Sequence, residues 1–286
     1  FQTLVIIRFL TGLLGHGVGF ALGVAAIGRT NNPDKNFAYS VASQVIMGSI
    51  TALVVPITIA KYGIAGMCVP AMIIALLTLL FVSKLSDPAK NNVQESSAAT
   101  PKGILILPLI GLFIMVIWQM GVGPFFNNLV PFGLSINLKG DEIGTALFLS
   151  TGLSIIGPLA ASALASKINR SVAISSALIL QIIIVLSFQG DMDWYGFTIR
   201  AILFQTSWNF AGPFLMGMVA NVDKTGQYSV LIPASQLGGI SIGHAVIASL
   251  IQGNNLALVN YFCAGVILIS ILLYLLSSKQ LNKINQ

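Results

Sequence analysis

Long apolar stretches alternate with short polar loops along the whole chain, at residues 3–28, 37–60, 64–83, 104–130, 143–165, 172–188, 197–221, 228–251 and 256–277. Each is close to the 17–25 predominantly apolar residues that an α-helix needs to cross a bilayer. No Asp or Glu falls inside any of them, and Arg8 and Arg200 are the only basic residues that do. The pattern predicts an all-α integral membrane protein with nine transmembrane helices.

The loops between the stretches are of two kinds. Arg29, Lys35, Lys84, Lys90, Lys102, Lys167, Arg170, Lys224, Lys279 and Lys283 fall on one alternating set, whereas Lys61 and Lys139 are all that the other set holds. Such asymmetry orients membrane proteins with the cation-rich loops in the cytoplasm, which predicts a cytoplasmic C-terminus and an external start to the first span. Residues 84–102, KLSDPAKNNVQESSAATPK, form the longest polar stretch and read as a flexible cytoplasmic linker. Three spans precede it, in residues 1–83, and six follow it, in residues 103–286. If the linker joins equal halves, twelve spans are expected in all, with three ahead of residue 1.

Parallel repeats in a two-half protein leave weak similarity between equivalent spans. An ungapped shift of 192 residues lays Ile7-Arg8 on Ile199-Arg200, Ala42-Ser43-Gln44 on Ala234-Ser235-Gln236 and Ser49-Ile50 on Ser241-Ile242. Both intramembrane Arg residues coincide, as do two Gln residues, and polar matches in hydrocarbon are less accidental than aliphatic ones.

Three short patterns extend the picture. Arg8 leads a glycine series of Gly12, Gly15 and Gly17; Gly157-Pro158 is followed by Lys167 and Arg170; and Asp223, Gly226, Gly239 and Gly243 flank or enter the eighth span. With the layout, these resemble the fourth-helix motif, the second-half basic loop and the tenth-to-eleventh-helix pattern of the major facilitator superfamily, over the whole chain as helices four to twelve. The resemblance implies two six-helix bundles and a secondary active transporter working by alternating access in the plasma membrane, coupled to protons. The chain departs from many relatives in carrying Gly243-His244 in place of Gly-Pro. Its 37–60 span offers only Gly48 and Pro56, without the glycine-rich motif of drug antiporters.

Polar residues at membrane depth are the candidates for chemistry, because they are costly there and face an interior or water. Arg8 shares a helical face with Gly12, Gly15, Gly19 and Gly23, which suits close helix packing as well as a substrate or coupling role. The 197–221 span carries Arg200, Gln205, Trp208 and Asn209, the last three within one arc, followed by Gly212-Pro213. An indole beside two amides suits a pocket for a small organic solute. Trp118, Gln119 and Asn127, around Gly121 and Gly123-Pro124, predict a broken helix near its outer end. Gln44 and Gln236 complete the expected cavity, and Gly239 and Gly243 share the Gln236 face as packing positions. His244, with Arg8, is the candidate for proton coupling; His16 is a weaker one. With two Arg and no acid in the spans, an anionic or zwitterionic substrate is expected.

The composition, 56% hydrophobic and 8% charged with mean hydropathy +0.90, agrees with a membrane class. The net charge of +6 is spread over short loops, so it reads as topology and not as a nucleic-acid surface. Membrane lipid, a small solute and a coupling proton are the expected partners of a monomer. Cys68 and Cys263 lie in spans as small apolar residues, and no metal or cofactor signature occurs. Asp141-Glu142 reads as a helix cap, and Asp191 and Asp193 as solvated loop residues. An enzyme acting on lipid intermediates would require acids or His gathered near an interface, and a non-transporting assembly protein would not explain the polar residues in the spans.

Overall fold

In the computed structural model, which describes residues 2–82, 106–223, 226–251 and 256–282, every regular element is helical. Backbone groups shielded from water must pair within their own segment, and an apolar chain achieves this as helices. The elements are α1 (Gln2–Thr11), a π-helical stretch (Gly12–Phe20), α2 (Ala21–Gly28), α3 (Pro33–Tyr62), α4 (Ala65–Val82), α5 (Ile106–Asn127), α6 (Leu129–Ser135), α7 (Gly140–Leu153), α8 (Ile156–Leu164), α9 (Arg170–Ser187), α10 (Trp194–Val222), a 3-10 turn (Ser229–Leu231), α11 (Ile232–Ile251) and α12 (Leu256–Asn282). The predicted linker at 84–102, with Lys224 and Lys283, lies outside the described residues.

Six segments are long and apolar enough to cross a bilayer: Pro33–Tyr62, Ile106–Asn127, Gly140–Leu164, Arg170–Ser187, Ser229–Ser249 and Leu256–Leu281. The other three predicted spans differ for separate reasons. Residues 2–28 are divided by the π-helical stretch, the 64–83 span yields only the shorter apolar stretch Ala65–Thr78 among the described residues, and α10 has the length, 29 residues, but carries many polar side chains.

Local signals set the helix starts. Asn32 accepts the Lys35 amide at 3.2 Å with Pro33 at the first helical position, Asn169 accepts the Ser171 amide at 2.8 Å, and the Glu142 carboxylate reaches back to the Lys139 amide at 2.8 Å. Asp193, expected as a solvated loop residue, caps α10 instead by accepting the Gly196 amide at 2.8 Å.

At the centre stands α10, which packs against α2, α3, α5, α7, α8 and α9, with every residue from Ala211 to Ala220 buried. On its far side α5 lies between α11 and α12. There Gly239 and Gly243 let α11 approach closely: a Cβ on Gly239 would stand 2.8 Å from the Gln119 Cβ, and one on Gly243 would stand 2.7 Å from the Pro124 Cγ. Outward faces carry large apolar side chains, among them Met72, Leu76 and Leu80 on α4, a surface suited to lipid.

The glycine face expected around Arg8 does not form a tight contact. A Cβ on Gly12, Gly19 or Gly23 would meet nothing within 4 Å among the described residues. The π-helical stretch also winds more residues into each turn, so the 100° wheel that aligned these glycines does not hold across Gly12–Phe20.

Candidate functional site

Four helical segments line an open cavity of about 240 Å³: Val41, Gln44 and Val45 from α3, Phe126 from α5, Thr151 and Ser154 from the α7–α8 junction, and Gln205, Trp208 and Asn209 from α10. Gln205 lies about 16 Å along the axis from Trp194, and Asn209 about 20 Å from Val222, at about 1.5 Å per residue, so the cavity sits midway along α10.

The α7–α8 junction exists because Pro158 has no amide hydrogen to continue the helix. The Gly157 amide bonds to the Ser154 carbonyl at 2.9 Å in a tighter turn, and the Ser154 hydroxyl donates to the Thr151 carbonyl at 2.7 Å. Gly157 also lets α8 lie directly on α10, where a Cβ would collide with the Thr206 carbonyl and stand 3.0 Å from the Phe210 nitrogen. This approach brings the Ser154 Oγ within 2.9 Å of the Asn209 Nδ2, which donates to it.

The remaining polar groups are less committed. Gln44 Nε2 donates to Ser40 Oγ of its own helix at a long 3.4 Å, and Asn209 Oδ1 has no hydrogen bond among the described residues. Gln205 is 7% exposed, and its Oε1 is buried without a hydrogen-bond partner among the described residues. Trp208 meets Phe126 edge-on at 5.8 Å between ring centroids, giving the cavity an aromatic wall. None of the nine described lining residues is charged.

Toward the end rich in Lys and Arg an ion pair joins α3 to α9. Arg170, at the start of α9, donates to Asp34 Oδ2 through Nη2 at 2.7 Å and through Nε at 3.3 Å, with side chains 11% and 9% exposed. Asp34 is the second residue of α3, and its Oδ1 rests on Gly217 of α10, where any Cβ would collide with it. A second contact lies alongside. Asp223 Oδ1 accepts the Gly226 amide at 2.9 Å, while its Oδ2 accepts the Tyr228 amide at 2.9 Å, the Ser229 amide at 2.7 Å and the Ser229 hydroxyl at 2.9 Å. That carboxylate shapes the turn that starts α11. Gly226, at φ +74°, leaves room for the Arg29 guanidinium, whose Nε would stand 2.5 Å from a Cβ there.

Of the residues singled out in the sequence, the structure brings Gln44, Gln205, Trp208 and Asn209 together. It places the others elsewhere, apart from Arg8 and His16, whose side chains lie outside the described part of the chain. Trp118 is wholly buried, its indole donating to Gln181 Oε1 at 2.9 Å, so it is a core residue between α5 and α9. Gln119 is buried behind Gly239. Gln236 is half-buried on α11 and outside the cavity wall. Arg200 donates through Nε to Ser187 Oγ at 3.1 Å, tying α10 to the end of α9, and is not among the described residues lining the cavity. Asn127 meets His244 Nε2 at 3.0 Å, and His244 Nδ1 meets the Ile240 carbonyl at 2.8 Å, so both ring nitrogens are engaged away from the cavity. A carbonyl only accepts, so Nδ1 is the donor there. Arg8 lies in α1, and His16 and Gly15 in the π-helical stretch.

The break expected in the 104–130 span is present: α5 ends at Asn127, just beyond Pro124, and the Asn128 side chain donates to the Pro124 carbonyl at 2.8 Å before α6 begins. Helix α10, by contrast, runs unbroken through Pro213. Gln181 depends on Trp118 in the same core, since its Nε2 has no partner among the described residues. Trp118→Phe should therefore lower the thermal midpoint by an amount corresponding to about 1–3 kcal/mol, without altering ligand binding at the cavity. An unchanged midpoint in a melting experiment would show that the indole bond contributes nothing.

Neither a protein-family model nor a curated protein matches the chain.

Proposed function

We propose that this protein is a secondary transporter of the major facilitator type, moving a small organic solute across a membrane by alternating access. The observation that carries the reading is a cavity midway along α10, walled by amides and an indole, together with the Asp34–Arg170 ion pair, whose residues come from either side of the 84–102 segment. Alternating access requires a site reached from one face at a time, and an ion pair between separately moving helix groups is a contact that can open. The 192-residue register supports two related bundles, with Arg8 opposite Arg200 and Gln44 opposite Gln236. On the positive-inside pattern the end that carries this ion pair is cytoplasmic, and we read the paired form as closed on that side, in a plasma membrane with the C-terminus inside.

Proton coupling through His244 is not part of this reading, because Asn127 and the Ile240 carbonyl occupy its ring nitrogens. The purified protein in liposomes is expected to take up solutes that raise its thermal midpoint, with flux lost in Asn209→Leu. Stabilising ligands that are never taken up would overturn transport in favour of a non-transporting membrane protein.

A further inference from the structure

We propose that the cavity takes an uncharged solute presenting a hydrogen-bond donor and acceptor side by side, as in an amide or lactam, with an apolar edge against Trp208 and Phe126. The proposal rests on the transport reading and narrows its substrate. Three observations point the same way. The polar lining consists of primary amides and hydroxyls, with no charged side chain among the described lining residues, so an ion entering it would lose hydration without gaining a counter-charge.

The hydroxyl protons are already committed, since Thr151 and Ser154 both donate to backbone carbonyls of their own helix and can only accept from a solute. The amides are not: Gln205 Oε1 is buried and unpartnered, and Asn209 Oδ1 is uncommitted among the described residues. A primary amide offers an acceptor and two donors on adjacent atoms, and its complement is a group with the same pair reversed. Leaving a buried amide oxygen unpaired is costly, and although Gln119 Oε1 and Asn260 Oδ1 share that state in the core, only Gln205 carries it on the wall of this cavity.

The size agrees. A volume of about 240 Å³ equals roughly eight waters' share of liquid, enough for one small ring and its substituents. The aromatic wall favours a flat apolar edge over a polyol.

Matched probes separate charge from shape. Thermal midpoints of the purified protein would be recorded with nicotinamide against nicotinate, uracil against orotate, and 2-pyrrolidone against pyrrolidine. The neutral member of at least one pair is expected to raise the midpoint while its charged partner does not. In Gln205→Leu the affinity for that member should fall roughly 10- to 100-fold, with a ligand-free midpoint equal to or above that of the unmodified protein. Gln205→Glu, which keeps the size but adds charge, should abolish the neutral preference. Charged members that stabilise while neutral members are silent would overturn the neutral class, and their uptake into liposomes would leave transport standing. A midpoint that falls in Gln205→Leu with ligand shifts unaltered would overturn the proposal by making Gln205 a packing residue.

Discussion

Asp34→Asn is expected to shift the protein away from the closed form toward one open at the end rich in Lys and Arg, by about 3 kcal/mol or roughly 100-fold in the equilibrium. The direction follows from where the remaining charge is hydrated. Closed, Arg170 would face an amide in a site where both side chains are about nine-tenths covered; open, water would solvate it. Only the closed form carries the penalty. Gly217→Ala should act in the same direction without touching charge, because its methyl group would occupy the position of the Asp34 carboxylate. The two substitutions share one contact and should therefore be strongly non-additive.

The measurement is alkylation of a cysteine placed at Ala38, which is fully buried one turn beyond Asp34, in a protein with Cys68→Ser and Cys263→Ala. Labelling from the Lys- and Arg-rich side should accelerate in both variants. A lowered thermal midpoint with unaltered labelling would show that the pair only holds the helices together and does not gate them.

A second large effect is expected at Gly157. Gly157→Val should destabilise the protein by several kcal/mol and abolish ligand binding, while Gly157→Ala, with one methyl to accommodate, should cost about 1–3 kcal/mol. Both push α8 off the α10 backbone at Thr206 and Phe210, and with it the hydroxyl to which Asn209 is anchored. Asn209→Leu offers the comparison: it should lose binding while retaining most of the stability. If Gly157→Val bound ligand with unchanged affinity, the close approach of the two helices would not be what positions Ser154.

Much of the helical framework was legible because membrane helices are read from apolar runs, and the long ones recur within a few residues: 37–60 was expected where Pro33–Tyr62 is found. The cavity was half legible. Gln205, Trp208 and Asn209 are three and four residues apart, so one helix face had to carry them together. Gln44 became visible through its register with Gln236, although only Gln44 reaches the cavity. Thr151 and Ser154 gave no signal, since hydroxyls in an apolar helix commonly bond back to their own backbone and these do so as well as lining the site.

Residue type alone also could not separate Trp118 from Trp208. Both sit among amides and glycines, and the difference is that Gln181 on α9 stands opposite the first and nothing comparable opposite the second. The Asp34–Arg170 pair was hidden by distance along the chain, 136 residues, and by local context: an acid after Asn-Pro at a helix start reads as ordinary dipole compensation. Lys167 and Arg170 after Gly157-Pro158 were the nearest hint.

A wall of neutral amides also has an electrical meaning. Moving one elementary charge across a membrane potential of 100 mV is worth about 2.3 kcal/mol, and none of the nine described residues around the cavity carries one. On the transport reading, an uncharged passenger in this site would cross the field with no work done on it or on these nine residues. Any accumulation against a gradient would then have to draw on charge carried elsewhere in the protein.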